Sequence, residues 1–228
     1  MLADANLAAV GRVLGDAHRA RFLLALLGGQ ELTAGELAAR SGASSSLASA
    51  HLSRLLESGL VGARKRGRRR YYRLAGPEVA QAIEGLLAVA PVESAHGLRE
   101  SSRGEAIRRA RTCYDHLAGR LGVSLADALE EERLLGPLDQ GWTVTPAGER
   151  RLASLGVDVG ALRERRRTLI RPCLDWTERR PHVAGALGAA LAERFLELGW
   201  VRRLPGSRAV GITPDGQREL LAQFAVRV

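Results

Sequence analysis

Residues 45–61 read SSLASAHLSRLLESGLV, and residues 64–73 follow with RKRGRRRYYR. In the first stretch Leu47, His51, Leu52, Leu55 and Leu56 recur at helical spacing, and Gly59 ends the pattern. Small polar residues, Ser44, Ser45, Ser46 and Ser49, crowd its start. In the second stretch seven of ten residues are basic and none is acidic. LVGAR and RRYYRLA read as two short strands turning at KRG, a hairpin with Gly67 at its tip.

Upstream, Leu7–Leu14 reads as a helix, and Asp16 caps a second over Ala17–Leu27 that Gly28-Gly29 ends. Thr33 caps a third, AGELAARS, with Glu36 at capping-box spacing, and Gly42 makes the turn into the stretch at 45–58. Downstream, Gly76-Pro77 opens a fifth helix, EVAQAIEGLLAVA. Three helices with a tight turn before the last, then a basic hairpin, predict a winged helix-turn-helix over residues 1–92. In such a fold the helix from Ser45 enters the major groove, and the hairpin lays its arginines along the DNA backbone or minor groove. Tyr71 and Tyr72 point to opposite faces, one to the core and one toward sugar or phosphate.

The charge distribution supports an anionic partner. Net charge is +9, of which residues 64–73 carry +7, the rest of the chain up to 97 sums to −3, and residues 98–228 sum to +5. Seven like charges in ten residues repel one another, so a counter-charge at one place, most simply nucleic acid, is expected. Two cysteines make no disulfide framework. The longest apolar runs are too short to span a bilayer, and the N-terminus has no signal-peptide pattern, so a cytoplasmic, nucleoid-associated protein without membrane contact is expected.

LGDAHRARFLLALLGG (14–29), ELTAGELAARSG (31–42), SSLASAHLSRLLESGLV (45–61) and RGRRRYYRL (66–74) together resemble the ArsR/SmtB family of bacterial transcriptional repressors. The resemblance covers about 75 residues. It implies a homodimer, paired through its first and last domain helices, on double-stranded DNA carrying an inverted-repeat operator, and released by an inducer. The residues at DNA-contacting positions are Ser45, Ser46, Ser49, Ala50, His51 and Arg54, with Arg64, Lys65, Arg66, Arg68, Arg69, Arg70 and Tyr71 on the wing. The plainer reading of His51, against a ligand or base, is a helix residue that packs or hydrogen-bonds near the backbone of the DNA. The metal sites best known in the family do not carry over. Their third-helix cysteines fall at Thr33 and Gly35, and their cysteines near the end of the recognition helix at Arg54 and Ser58. EVAQAIEGLLAVA holds neither the Asp-x-His nor the later His of the fifth-helix site. Soft metals need thiolate or imidazole, so no metal is expected at these positions.

PVESAHGLRESSRG (91–104) reads as a linker, placed at 93–104. Residues 105–228 are then written twice, about 105–160 and 165–228. HLAGRLGVSLADALEEERLL (116–135) aligns with HVAGALGAALAERFLELGWV (182–201), and WTVTPAGERRL (142–152) with VGITPDGQREL (210–220). Each copy ends in helix, hairpin, Thr-Pro and helix, which predicts a pseudo-repeated, winged-helix-like C-terminal domain. The whole chain is thus expected to be mainly α with small β wings, an α+β protein.

The only two cysteines sit in the repeat, as TCYDHLAG and PCLDW…HVAG. A helix is expected from Gly104 through this motif, which would put Cys113 and His116 on one helical face. Gly119, Gly122, Gly185 and Gly188 suggest close helix approach across the pseudo-symmetry, so the motif is first a packing motif, with the cysteines as small apolar fillers. Two sharper readings stand beside it. If Cys173 and His182 meet Cys113 and His116, the four residues make a Cys2His2 set for zinc or another soft metal; alternatively the arginines around Cys113 favour a thiol-redox sensor. No catalytic motif is found. The reading reached is a DNA-binding regulator, a homodimeric repressor relieved through its C-terminal domain by a small-molecule, metal or oxidant inducer. The alternatives are a non-inducible architectural DNA-binding protein and an interaction module whose C-terminal domain docks another protein or stabilises the dimer.

Overall fold

A computed structural model describes residues 5–91, 98–139 and 141–228. The chain divides into two compact units, residues 1–83 and 84–228, with the division inside one helix.

In the first unit the elements run α1 (Leu7–Leu14), α2 (Ala17–Leu26), β1 (Leu32–Thr33), α3 (Ala34–Ser41), α4 (Ser45–Glu57), β2 (Val61–Arg66), β3 (Arg69–Leu74) and α5 (Pro77–Val89). Local chemistry sets most of the boundaries. Asp16 accepts from the Arg19 amide at the start of α2. Thr33 and Glu36 form the expected capping box at α3, and Ser44 caps α4 by accepting from the Leu47 amide. Gly42 ends α3 at φ +73°, a conformation that glycine adopts at little cost. Phe22, Leu23, Leu26, Leu37, Leu52, Leu55, Val61 and Leu74 are buried and form the core between the helices and the sheet. The sheet has the order β1-β3-β2, all antiparallel, and the short β1 is an addition to the expected hairpin. Gly67 sits at the hairpin tip with φ +58°.

The second unit begins within α5 and continues with α6 (Leu98–Arg109), β4 (Arg111–Cys113), β5 (His116–Ala118), α7 (Gly119–Glu131), β6 (Leu135–Leu138), β7 (Gly141–Val144), α8 (Pro146–Ser154) and α9 (Val159–Arg163). Then come β8 (Arg171–Leu174), β9 (Pro181–Ala184), α10 (Gly185–Glu197), β10 (Val201–Arg203), β11 (Val210–Ile212) and α11 (Pro214–Phe224). The order hairpin, helix, hairpin, helix therefore occurs twice. Thr145 and Thr213 cap the last helix of each set, each accepting from the amide three residues on, with proline in the first turn. The main core gathers Leu121, Leu125, Leu129, Leu187, Leu191 and Phe195 from α7 and α10, with Leu152, Trp200, Leu220 and Phe224 around them.

Three expectations are corrected here. Residues 98–104, expected as linker, are helical in α6, while 92–97 lie outside the described residues. The single helix expected from Gly104 through the cysteine motif breaks after Arg109. Residues 111–118 form a tight antiparallel hairpin instead, with Tyr114 at φ +59° in its turn. Cys113 and His116 are therefore cross-strand partners and do not share a helical face. The glycines also act differently from the expected helix–helix contact. Gly119 and Gly185 start α7 and α10 at φ +74° and +87°. A Cβ on Gly122 would lie 2.5 Å from the Leu117 carbonyl oxygen and 3.5 Å from His182 Cβ. One on Gly188 would lie 2.3 Å from the Val183 carbonyl oxygen and 3.1 Å from His116 Cβ. The small residues thus let each helix press on its own hairpin and on the histidine of the other repeat.

Candidate DNA interface and candidate metal centre

α4 presents Ser45, Ser46, Ser49, Ala50 and Arg54 to solvent. Ser49 donates to the Ser45 carbonyl, which holds its hydroxyl close to the helix. His51 is the exception among the expected contacts. It is buried, its Nδ1 lies 3.3 Å from Arg19 Nη1 and 3.7 Å from Asp16 Oδ1, and its ring stacks on His18. Arg19 also donates to the Val13 and Arg12 carbonyls. His51 therefore ties α4 to the turn before α2; the helical spacing that placed it beside Ala50 also turned it toward the core.

On the wing, Lys65, Arg68, Arg69 and Arg70 are exposed and make no ion pair among the described residues. Arg64 and Arg66 both pair with Glu31, at 2.8 and 2.9 Å. The stripe is thus partly neutralised from within the unit, by a residue too far away in sequence to be read as its partner. Tyr72 is buried and Tyr71 half-buried, with the Arg66 guanidinium over the Tyr71 ring.

Two hairpins build the second candidate site. β4/β5 pairs Cys113 with His116, and β8/β9 pairs Cys173 with His182. α7 packs on β9 and α10 on β5, and β5 and β9 meet. All four side chains are buried, and their ligand-capable atoms lie within 4.8 Å of one another. Sγ of Cys113 and Sγ of Cys173 are 3.9 Å apart, and the two Nε2 atoms are 3.1 Å apart. A tetrahedral zinc site with Zn–S of about 2.3 Å and Zn–N of about 2.0–2.1 Å has edges of about 3.8 Å between sulfurs and about 3.3 Å between nitrogens. The donor set suits zinc, and the sulfur–sulfur and nitrogen–nitrogen separations fit those edges, while the four atoms together span up to 4.8 Å, wider than the about 3.6 Å edge between sulfur and nitrogen.

Carboxylates stand behind both imidazoles, as they do behind metal-ligating histidines in general. Asp115 Oδ1 lies 3.3 Å from Nδ1 of His116 and is held by Arg167. Asp175 Oδ2 lies 3.5 Å from Nδ1 of His182. Asp175 is fully buried and accepts from Arg111 Nη2 at 2.9 Å, the Gly119 amide at 2.7 Å, and the Thr177 amide and hydroxyl. Although burial raises the Asp175 pKa, the Arg111 charge and these donors hold it well below the usual carboxylate range. The Cys173 thiol is pulled down by its hydrogen bond with Cys113 and by the two imidazoles, and Cys113 is pushed up in return. These contacts favour the thiolate of Cys173 over that of Cys113, and a thiolate is the form that binds a metal.

A trihelical core with an exposed, serine-rich helix and a basic wing defines a winged helix-turn-helix DNA-binding domain. Residues 14–61 match a helix-turn-helix domain family. The chain is 43% identical over 212 residues to an HTH-type transcriptional regulator of Bacillus subtilis strain 168 named as uncharacterized, YdfF, spanning 93% of this chain and 94% of that one. It is also 43% identical over 86 residues to the HTH-type transcriptional regulator CmtR of Mycobacterium bovis, covering 38% of this chain and 72% of the relative. Among solved structures it is similar to the cadmium metal-sensor CmtR from Mycobacterium tuberculosis, with 41% identity over 40% of this chain and 96% of that one, at a TM-score of 0.33. HlyU from Vibrio cholerae is 35% identical over 35% of this chain and 85% of its own, also at 0.33. The chain belongs to the HTH-type transcriptional regulators, with an ArsR/SmtB-type winged helix-turn-helix as its DNA-binding domain. No helix among the described residues is long and apolar enough to cross a membrane.

Proposed function

We propose that this regulator is a homodimeric, cytoplasmic repressor on an inverted-repeat operator, without catalytic activity, and that its inducer is a soft divalent metal, zinc foremost. The metal is held by Cys113, His116, Cys173 and His182. The observation that carries the metal reading is the convergence of these four buried ligand atoms, two from each hairpin. A bound metal would cross-link the hairpins and place a positive charge between Asp115 and Asp175. The family's metal sites on the third, fifth and recognition helices cannot be built here, so the metal reading rests on the C-terminal cluster alone. We read residues 105–228 of the second unit as a duplication because the element order runs twice there. The dimer reading rests on α1, which has no buried residue in the single chain and exposes Leu7 and Val10, and on exposed Leu86 and Val89 of α5. DNA contact is assigned to Ser45, Ser46, Ser49, Ala50 and Arg54, with Lys65, Arg68, Arg69 and Arg70 on the backbone.

The test is fluorescence anisotropy on DNA upstream of the protein's own gene against scrambled DNA at fixed salt. The expected result is specific binding that zinc weakens and a chelator restores. Specific binding indifferent to zinc, in a protein that takes up none, overturns the metal reading and leaves the DNA reading standing. A second reading is favoured by the 3.9 Å sulfur separation. A peroxide removes two electrons from the two thiols, joining Cys113 to Cys173 as a disulfide, with both thiol protons leaving in water. Loss of DNA binding with peroxide and without zinc selects it.

A further inference from the structure

Four buried side chains connect the candidate metal centre to α5. Asp175 lies beside His182 and holds Arg111. Arg111 is fully buried, and its Nη2 stands 3.8 Å from Glu84 Oε2. Glu84 is a buried residue of α5, and its other oxygen accepts from Arg208 Nη1 at 2.5 Å. Along this line three polar atoms are buried with no hydrogen-bond partner: Nδ1 of His182, Nε of Arg111 and Oε2 of Glu84. Buried polar atoms in native proteins are almost always satisfied, so three complementary orphans in one chain call for an explanation.

We infer that Asp175, Arg111 and Glu84 form a two-position relay that reports metal occupancy at His182 to α5. The inference rests on the metal reading above. With Nε2 engaged as a ligand, His182 carries its ring proton on Nδ1, which donates to Asp175 Oδ2. That oxygen already accepts from Arg111 and from the Gly119 amide. Arg111 then gives up Asp175 and closes on Glu84, where Nε–H and Nη2 meet the oxygen that has no donor. The guanidinium remains paired in both positions, as a fully buried cation must. Glu84 lies one turn along α5 from Ala80, within a helix whose first residues, Pro77–Ile83, belong to the unit that carries the DNA-binding helix. A change of partner at Glu84 thus bears on a helix shared by both units, and this supplies the differential interaction that coupling between two sites requires.

The test compares wild type with Glu84→Gln, measuring zinc affinity by chelator competition and DNA affinity by anisotropy with and without zinc. Wild-type DNA affinity is expected to change at least about fivefold with zinc. Glu84→Gln is expected to bind zinc as wild type does, while its DNA affinity changes less than about twofold, since a neutral amide no longer draws Arg111 across. A full zinc response in Glu84→Gln, or zinc binding in wild type with no effect on DNA, overturns the relay. Failure of wild type to bind zinc at all overturns the metal reading beneath it. A second measurement covers a Glu84→Gln chain that fails to fold. In wild-type protein the Arg111 Nε–H resonance should shift and exchange more slowly when zinc is added, and a resonance that zinc leaves unmoved also overturns the relay.

Discussion

Nε2 of His116 and Nε2 of His182 face each other at 3.1 Å, both rings fully buried, each opposite a cysteine on the neighbouring strand of its own hairpin. Two imidazole nitrogens so placed share a single proton at most, and replacing that proton with a metal satisfies both lone pairs at once. One metal per chain is therefore expected. Cobalt should give the visible absorption of a tetrahedral site with two sulfurs. Cys113→Ser and Cys173→Ser should each weaken binding by more than about 100-fold, beyond the 10–100-fold typical of losing an outer hydrogen bond. Asp115→Asn, which removes the charge behind His116 and its pair with Arg167 but no ligand atom, should fall within that smaller range.

The wing and α4 should separate in their effects on DNA. Replacing Arg68, Arg69 and Arg70 together with alanine should weaken binding to every sequence and make the logarithmic salt dependence shallower by about 2–3. Arg54→Ala or Ser49→Ala should instead change the preference between operators, by about 1–3 kcal/mol for each base the side chain reads. Arg64→Ala should matter less than Arg68→Ala, because Glu31 already occupies the Arg64 guanidinium. Anisotropy titrations at four salt concentrations read all of these.

His51→Ala should act on stability and not on sequence choice. The ring is 8% exposed and accepts from Arg19, so its removal strands a buried guanidinium donor. A loss of about 1–3 kcal/mol in urea unfolding is expected, with operator preference retained in the folded fraction. A changed preference at unchanged stability would restore His51 to the DNA surface.

Gly188→Ala should be costly for a residue that touches no ligand atom. Its Cβ would sit 2.3 Å from the Val183 carbonyl oxygen and 3.1 Å from His116 Cβ. Either α10 lifts off the hairpin or His116 shifts, at about 1–3 kcal/mol of overpacking strain. Thermal stability and cobalt affinity should both fall, whereas Gly35→Ala, at a helical position with open space around the new methyl group, should leave cobalt affinity unchanged and hold or raise thermal stability.

Acid should loosen the first unit through its caps. The Thr33 hydroxyl and amide hold the Glu36 pKa below 4.5, and the Arg19 amide holds that of Asp16 below 3.8. A folded-state pKa below the unfolded one contributes stability that is present above the unfolded value and disappears as pH falls through the folded one. Helix content of the unit should therefore decline below about pH 4. Glu36→Gln should flatten that part of the profile, as read by far-ultraviolet circular dichroism.

The first unit was legible in the sequence because its determinants are local. Asp16, Thr33 and Ser44 cap helices whose amides lie three residues away, Gly42 and Gly67 mark turns where they stand, and the serine-rich face of α4 follows from its own period. The matching stretches of residues 116–152 and 182–220 were visible in the sequence for the same reason. Cys113 and His116 were not, because a spacing of three suits both one face of a helix and the two sides of a tight hairpin. The choice fell to tertiary packing: α7 and α10 cover the hairpins, and Asp175 grips the Gly119 amide from 56 residues away. The same holds for Glu31 on the wing and for His51 under Arg19. By itself the sequence determined a winged DNA-binding unit and showed two matching stretches after it. Only the fold decided that two cysteines 60 residues apart and two histidines 66 apart would converge in one buried centre, since no local period records a contact across that distance.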